Sequence, residues 1–238
     1  MTLPSKRQQV LFAVGLLLAF SHGFVTVSNS RVPKQVLKSH FSSTKLQLSR
    51  KTQDDSSEGP LSLALLQAQD ILGPAAKVLD DATDGWALGY ADLSPESEST
   101  PIGQAFLASN IAYALAGLFL SIQGETILGF LLEVVSIGSF VYHYTQLQAS
   151  SARDNNVRLA LFIDYTLAFT SIFVGLAYLI MDQHLPPVEG LVSGGIGVAC
   201  LLACWVWEQG LPYIILHSLW HFFSAYCGYI VGSTHLSG

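Results

Sequence analysis

Two histidines one helical turn apart carry the clearest chemical signal in this sequence. His217 and His221 lie in a stretch that is apolar enough to cross a bilayer. Because positions i and i+4 share one face of an α-helix, both imidazoles should point the same way. Imidazole is a common metal ligand, and an unpaired ionisable group inside a membrane is costly. The pair therefore predicts a metal-binding face.

Further polar residues at membrane depth come from two earlier apolar runs. His143 lies near the end of one run, with Ser139 one turn before it, and Asp164 lies near the start of the next run. Successive membrane helices alternate in direction. The end of the run with His143 and the starts of the runs with Asp164 and with the His217 and His221 pair therefore lie on the same side of a membrane. The three histidines and Asp164 should therefore share a depth.

Three imidazoles with an open fourth position are the ligand pattern of a catalytic zinc site, in which the metal makes a water acidic. Asp164 could accept the proton of that water or orient a histidine. Ser139 could hydrogen-bond Asp164 or a substrate carbonyl. The pattern thus predicts a catalytic role for Asp164, and Zn²⁺ ligands at His143, His217 and His221.

The composition indicates the setting of this site. The 238 residues are 50% hydrophobic and 12% charged, whereas soluble domains are typically about a quarter charged. We therefore predict an all-α fold, a polytopic membrane helical bundle with about five transmembrane helices in residues 101–233. The first should begin with Thr100 as N-cap and Pro101 at N1. The spans are expected at about 102–122, 125–146, 157–181 and 189–207, and from a break at Gly210 and Pro212 to about 232, with Asn156 as the N-cap of the third.

The front end of the chain is typical of a targeting sequence. Residues 1–53 hold eight of the eleven Lys and Arg residues and no acidic residue. Residues 1–23 have the basic start, short apolar core and small residues of a signal peptide, and residues 24–53 have transit-peptide composition. Together they resemble the bipartite plastid presequences of algae with complex plastids. The alternative is a signal peptide and a basic linker, which predicts the ER, Golgi or plasma membrane.

The remaining segments are acidic or short. Residues 54–100 are expected to be an acidic linker with an interfacial helix over Leu61–Leu72 that ends at Gly73-Pro74, and residues 234–238 to be a tail with His235 facing solvent. Only three basic residues follow residue 53. No basic groove remains to neutralise phosphates, which argues against nucleic-acid binding.

The five candidate site residues also resemble a known signature. The Ser-x3-His, Asp and His-x3-His motifs of the CREST superfamily are similar to Ser139-Phe-Val-Tyr-His143, Asp164-Tyr165 and His217-Ser-Leu-Trp-His221-Phe. The spacing looks closest to the myomaker branch of this superfamily, which also contains alkaline ceramidases, the PAQR receptors and GPI-remodelling proteins. Over residues 102–233, the resemblance implies Zn²⁺ at the three histidines, with Ser139 and Asp164 beside it as catalytic residues. It also implies hydrolysis of an amide or ester bond in a lipid. The family has seven spans, two more than are predicted here.

Three functions follow from these observations. The first is an integral-membrane, zinc-dependent hydrolase whose partner is a membrane lipid substrate. The second is a receptor, fusion or scaffold protein that retains the zinc for stability. The third is a haem-binding helical bundle, because transmembrane histidines also ligate haem.

Overall fold

The computed structural model describes residues 60–149, 154–183, 185–207 and 209–237. The predicted signal peptide and transit-like segment, residues 1–53, lie outside these ranges. Within them the chain is helical, and the only strand-like feature is an isolated bridge between Asp92 and Gln209. The helices are α1 (Pro60–Ala82), α2 (Pro101–Ser109), α3 (Ile111–Gln123), α4 (Thr126–Gln148), α5 (Asn155–Asp182), α6 (Val188–Cys204) and α7 (Gly210–Ser237). The predicted all-α class is confirmed.

Four stretches of helix are long and apolar enough to cross a membrane, which indicates an integral membrane protein. They are α2 and α3 taken together, α4, α5 and α7. Helix α6 has 17 residues, or about 26 Å at the α-helical rise, and is shorter than a hydrocarbon core of ~30 Å. Of the five predicted spans, four therefore meet the length requirement in full.

The first span begins as its sequence predicts and contains one irregularity. The Thr100 hydroxyl accepts a hydrogen bond from the Gly103 amide at 3.1 Å, and Pro101 occupies the first turn. Asn110 separates α2 from α3, and its side-chain amide donates to the Leu107 carbonyl at 3.0 Å. The Asn110 carbonyl in turn accepts from the Ser136 hydroxyl of α4 at 2.8 Å. The irregularity is thus held by side chains on both helices.

Small residues bring neighbouring helices into close contact. A Cβ added at Gly117 of α3 would lie 2.6 Å from the Gly129 carbonyl oxygen of α4. A Cβ added at Gly138 would lie 2.7 Å from Leu167 Cδ1 and 3.9 Å from the Asp164 Cα, both on α5. Glycine lets helix backbones approach closely in membranes. The close contact of α4 with α5 sets the position of Asp164 beside α4.

Three local expectations at helix ends are wrong. Helix α1 continues through Gly73-Pro74 to Ala82, and an ion pair between Asp80 and Arg158 of α5 holds its C-terminal part. The cap of α5 is Asp154, whose carboxylate accepts from the Asn156 amide at 2.8 Å, rather than Asn156 itself. Helix α7 starts at Gly210 and includes Pro212 in its first turn, where proline is tolerated.

The C-terminal residues are not a free tail. Helix α7 continues through residues 234–237. The His235 ring lies 2.9 Å from the Asp182 carboxylate and stacks on Tyr178 at a centroid distance of 3.8 Å. This pairing joins the end of α7 to the end of α5, so the prediction that His235 faces solvent is wrong.

Part of the predicted acidic linker packs against the bundle. We call residues 83–93 the cap segment; its Leu88, Ala91 and Leu93 are buried. It is attached where α4 ends and where α5 and α7 begin. The Tyr90 hydroxyl accepts from the Asp154 amide at 2.8 Å, and the Asp92 carbonyl accepts from the Gly210 amide at 2.9 Å. The cap segment thus lies at the same end of the bundle as the candidate site.

Candidate metal centre

Three histidines from two helices meet near this end of the bundle. One ring nitrogen from each of His143, His217 and His221 lies within 4.8 Å of the others. The ring centroids are 4.8 Å apart for His143 and His217, 5.2 Å for His143 and His221, and 4.8 Å for His217 and His221. The group could therefore hold a metal ion.

The cluster is dry. His143 is 0% and His221 1% exposed, and His217 is half-buried. Helix α2 places Phe106 against them, with its ring centroid 4.4 Å from that of His143 and 6.1 Å from that of His221. A low-dielectric wall of this kind strengthens electrostatic interactions inside the site and makes unpaired polar atoms costly.

A side-chain amide determines which nitrogen of His143 is available. Gln146 Nε2 donates to the Ala91 carbonyl at 3.0 Å, which leaves Gln146 Oε1 facing His143 Nδ1 at 3.0 Å. Since Oε1 can only accept, Nδ1 must carry a proton, and in the neutral imidazole Nε2 is then a bare lone pair. His143 Nε2 has no hydrogen-bond partner among the described residues. It is the nitrogen that a metal would take.

A hydroxyl makes the same selection at His221. The Ser109 hydroxyl donates to the Phe106 carbonyl at 2.6 Å, so it must accept from His221 Nδ1, which lies 2.7 Å away. His221 Nε2 is then the bare nitrogen, 3.5 Å from the Ser139 hydroxyl. Metal-binding histidines usually donate their second ring N–H to a group of this kind.

His217 is the third member of the group and the least buried. Its ring stacks on Tyr213 at a centroid distance of 5.1 Å, and its Nδ1 has no hydrogen-bond partner among the described residues. Two of the three histidines thus present an unpaired buried nitrogen, which is unfavourable by ~1–3 kcal/mol each if nothing binds it. Neutral imidazole lone pairs converging in this way fit a metal ion.

Ser139 and Asp164 lie beside the histidines. Ser139 is buried on α4, one turn before His143, and its hydroxyl faces both His221 and the carboxylate of Asp164. Asp164 is buried on α5. The structure therefore brings all five sequence-predicted residues to one place, and the catalytic roles of Ser139 and Asp164 stay predictions.

The sequence reasoning missed Gln146, Ser109 and Phe106. Gln146 could have been found, because it is three residues from His143 and thus on the same helical face. Ser109 and Phe106 belong to a different helix and form no pattern with the histidines. Only the packing of α2 against α4 and α7 reveals them.

Comparison of the chain with protein-family models, with curated proteins and with solved structures finds no match.

Proposed function

We propose that the protein is an integral-membrane, zinc-dependent hydrolase that cleaves an amide or ester bond of a lipid. The observation that carries the proposal is the presence of a buried carboxylate and hydroxyl, Asp164 and Ser139, beside the three converging histidines. A carboxylate and a hydroxyl are the groups that a metal-dependent hydrolase uses to transfer protons and to stabilise developing negative charge.

The donor set supports zinc as the ion. Imidazole nitrogens suit Zn²⁺, Cu and Fe, whereas Mg²⁺ and Ca²⁺ prefer oxygen ligands. Three protein ligands are the number found in catalytic zinc sites, where Zn²⁺ polarises a carbonyl and makes a water acidic enough to ionise near neutral pH.

The chain's own groups have distinct parts in the proposed reaction. Asp164 takes a proton from the attacking water and delivers it to the leaving group, which is general acid–base catalysis. Ser139, between His221 and Asp164, donates a hydrogen bond to the oxygen on which negative charge develops. Phe106 excludes bulk water from the histidines.

The position of the site within the membrane-spanning helices favours a lipid substrate. Every site residue is on a membrane-spanning helix, and the cap segment covers the end of the bundle at which the site lies. A lipid reaches this site most easily from the bilayer.

We also propose that the membrane is that of a plastid, because residues 1–53 have the composition of a plastid presequence. A fluorescent fusion of the full chain that labels the ER or Golgi instead would refute this.

The experiment combines metal analysis with lipid turnover. The purified protein should contain about one zinc per chain and release fatty acid from detergent micelles that contain ceramide or phospholipid. His217→Ala should lose the zinc, and Asp164→Asn should keep the zinc and lose the turnover. The matched control is His235→Ala, a histidine on the same helix α7 that bonds Asp182 outside the cluster.

Other outcomes identify the other candidate functions. Bound zinc with no turnover of either lipid class would refute the hydrolase and support a receptor or scaffold. A haem absorption band in place of zinc would refute both. Haem is disfavoured because a haem iron offers at most two axial positions to protein ligands, whereas three histidine nitrogens converge here.

A further inference from the structure

We propose that Gln146 is a positioning residue of the metal centre: it selects Nε2 of His143 as the ligand atom and makes that selection depend on the cap segment. The inference rests on the metal site of the proposed function, and it does not depend on which reaction the site performs.

Both the oxygen and the nitrogen of the Gln146 side-chain amide make hydrogen bonds. The side chain is 4% exposed, its Oε1 accepts from His143 Nδ1, and its Nε2 donates to the Ala91 carbonyl. Tyr213 of α7 also interacts with this amide. The amide therefore contacts groups on three different segments, and the Ala91 carbonyl, which can only accept, sets its orientation.

The Ala91 carbonyl decides which way the amide faces. If the cap segment moved away, the amide could turn and present its NH₂ group to His143 Nδ1. The ring would then have to accept at Nδ1 and carry its proton on Nε2, the position that a metal needs free. The cap segment is bonded to the bundle on both sides of Ala91, through Tyr90 and Asp92. An intact cap thus stabilises the ligand-competent tautomer.

Two substitutions test whether the acceptor oxygen of Gln146, rather than the packing of its side chain, determines zinc binding. Gln146→Leu removes the acceptor, so His143 loses its preference for the Nδ1–H tautomer and zinc affinity should fall about tenfold or more. Gln146→Glu keeps an acceptor oxygen toward Nδ1 but cannot donate to the Ala91 carbonyl. It should retain the Nδ1–H tautomer and bind zinc at least nearly as well as wild type, which is rescue by the isosteric variant.

The control is Gln148→Leu. Gln148 is on the same helix two residues later, is exposed and donates to the Tyr144 hydroxyl. The Gln148→Leu substitution should change neither the tautomer of His143 nor the zinc affinity. Nitrogen NMR of the metal-free, histidine-labelled protein reports the tautomer of His143, and competition with a chromophoric chelator reports zinc affinity. Helical circular dichroism checks that each variant is folded.

Wild-type zinc affinity in a folded Gln146→Leu protein would overturn the proposal. So would an equal loss in Gln146→Glu and Gln146→Leu, because the acceptor would then be irrelevant. A wild-type protein that binds zinc and cleaves no lipid would refute the hydrolase alone, since the tautomer is measured without metal and without substrate. A wild-type His143 that carries its proton on Nε2 would overturn the inference whatever the activity.

Discussion

Removal of the Ser109 hydroxyl tests whether Ser109 keeps His221 in the tautomer that can bind a metal. In Ser109→Ala, the buried His221 Nδ1–H loses the acceptor that lies 2.7 Å away in the wild type. An unpaired buried donor costs ~1–3 kcal/mol. In the metal-free variant, the ring can relieve this cost by moving its proton to Nε2, toward the Ser139 hydroxyl at 3.5 Å. Metal binding must then reverse that change.

The cost should therefore appear mainly in zinc affinity rather than in folding. A penalty of ~1–3 kcal/mol corresponds to a loss of about fivefold to 150-fold, at roughly 1.4 kcal/mol for each factor of ten. The assay is competition with a chromophoric chelator in detergent, with thermal unfolding of the metal-free protein measured alongside. The unfolding temperature should change little.

Ser136→Ala is the matched control. Ser136 is also buried and also donates to a backbone carbonyl of the first span, that of Asn110 at 2.8 Å, but it does not bond a histidine. It should lower the unfolding temperature and leave zinc affinity unchanged. Equal effects of the two substitutions on zinc affinity would refute the reasoning, because Ser109 would then act only through helix packing.

Two further predictions concern the packing that supports the site. Gly138→Ala places a Cβ 2.7 Å from Leu167 Cδ1. The Leu167 side chain must therefore repack between α4 and α5, and the free energy of unfolding should fall by about 1 kcal/mol. Gly195→Ala, where nothing lies within 4 Å, should be neutral or stabilising, and the reverse order would contradict the packing argument. His235→Ala removes the half-buried pair with Asp182 and should cost about 1 kcal/mol in thermal unfolding while zinc content stays at the wild-type level; zinc loss in this variant would show that the two ends of α7 are coupled.

The sequence was most informative where local rules apply. Apolar length predicted the spans, Thr100-Pro101 predicted the start of the first one, and the i, i+4 spacing placed His217 and His221 on one face. The alternation of helix direction brought in His143, because a chain that crosses a bilayer must return through it. These inferences need only the helical repeat and the cost of polar groups in hydrocarbon.

The helix ends were predicted less well because tertiary contacts override local signals. Gly73-Pro74 would end an isolated helix, yet α1 continues to Ala82, where Asp80 pairs with Arg158 of α5. His235 has the sequence context of a tail and instead stacks on Tyr178. In both cases the partner lies far away in the chain, so no local pattern contains it.

What the sequence by itself determined is a set of ligand-type side chains at a common depth in a membrane protein. What only the tertiary structure decided is which ring nitrogen of His143 and of His221 is free. The Nδ1 atoms of His143 and His221 are taken by Gln146 and Ser109, and the Gln146 amide is oriented by the Ala91 carbonyl. The tautomer of an imidazole depends on the direction of single hydrogen bonds, and two of these three bonds join segments that are distant in sequence.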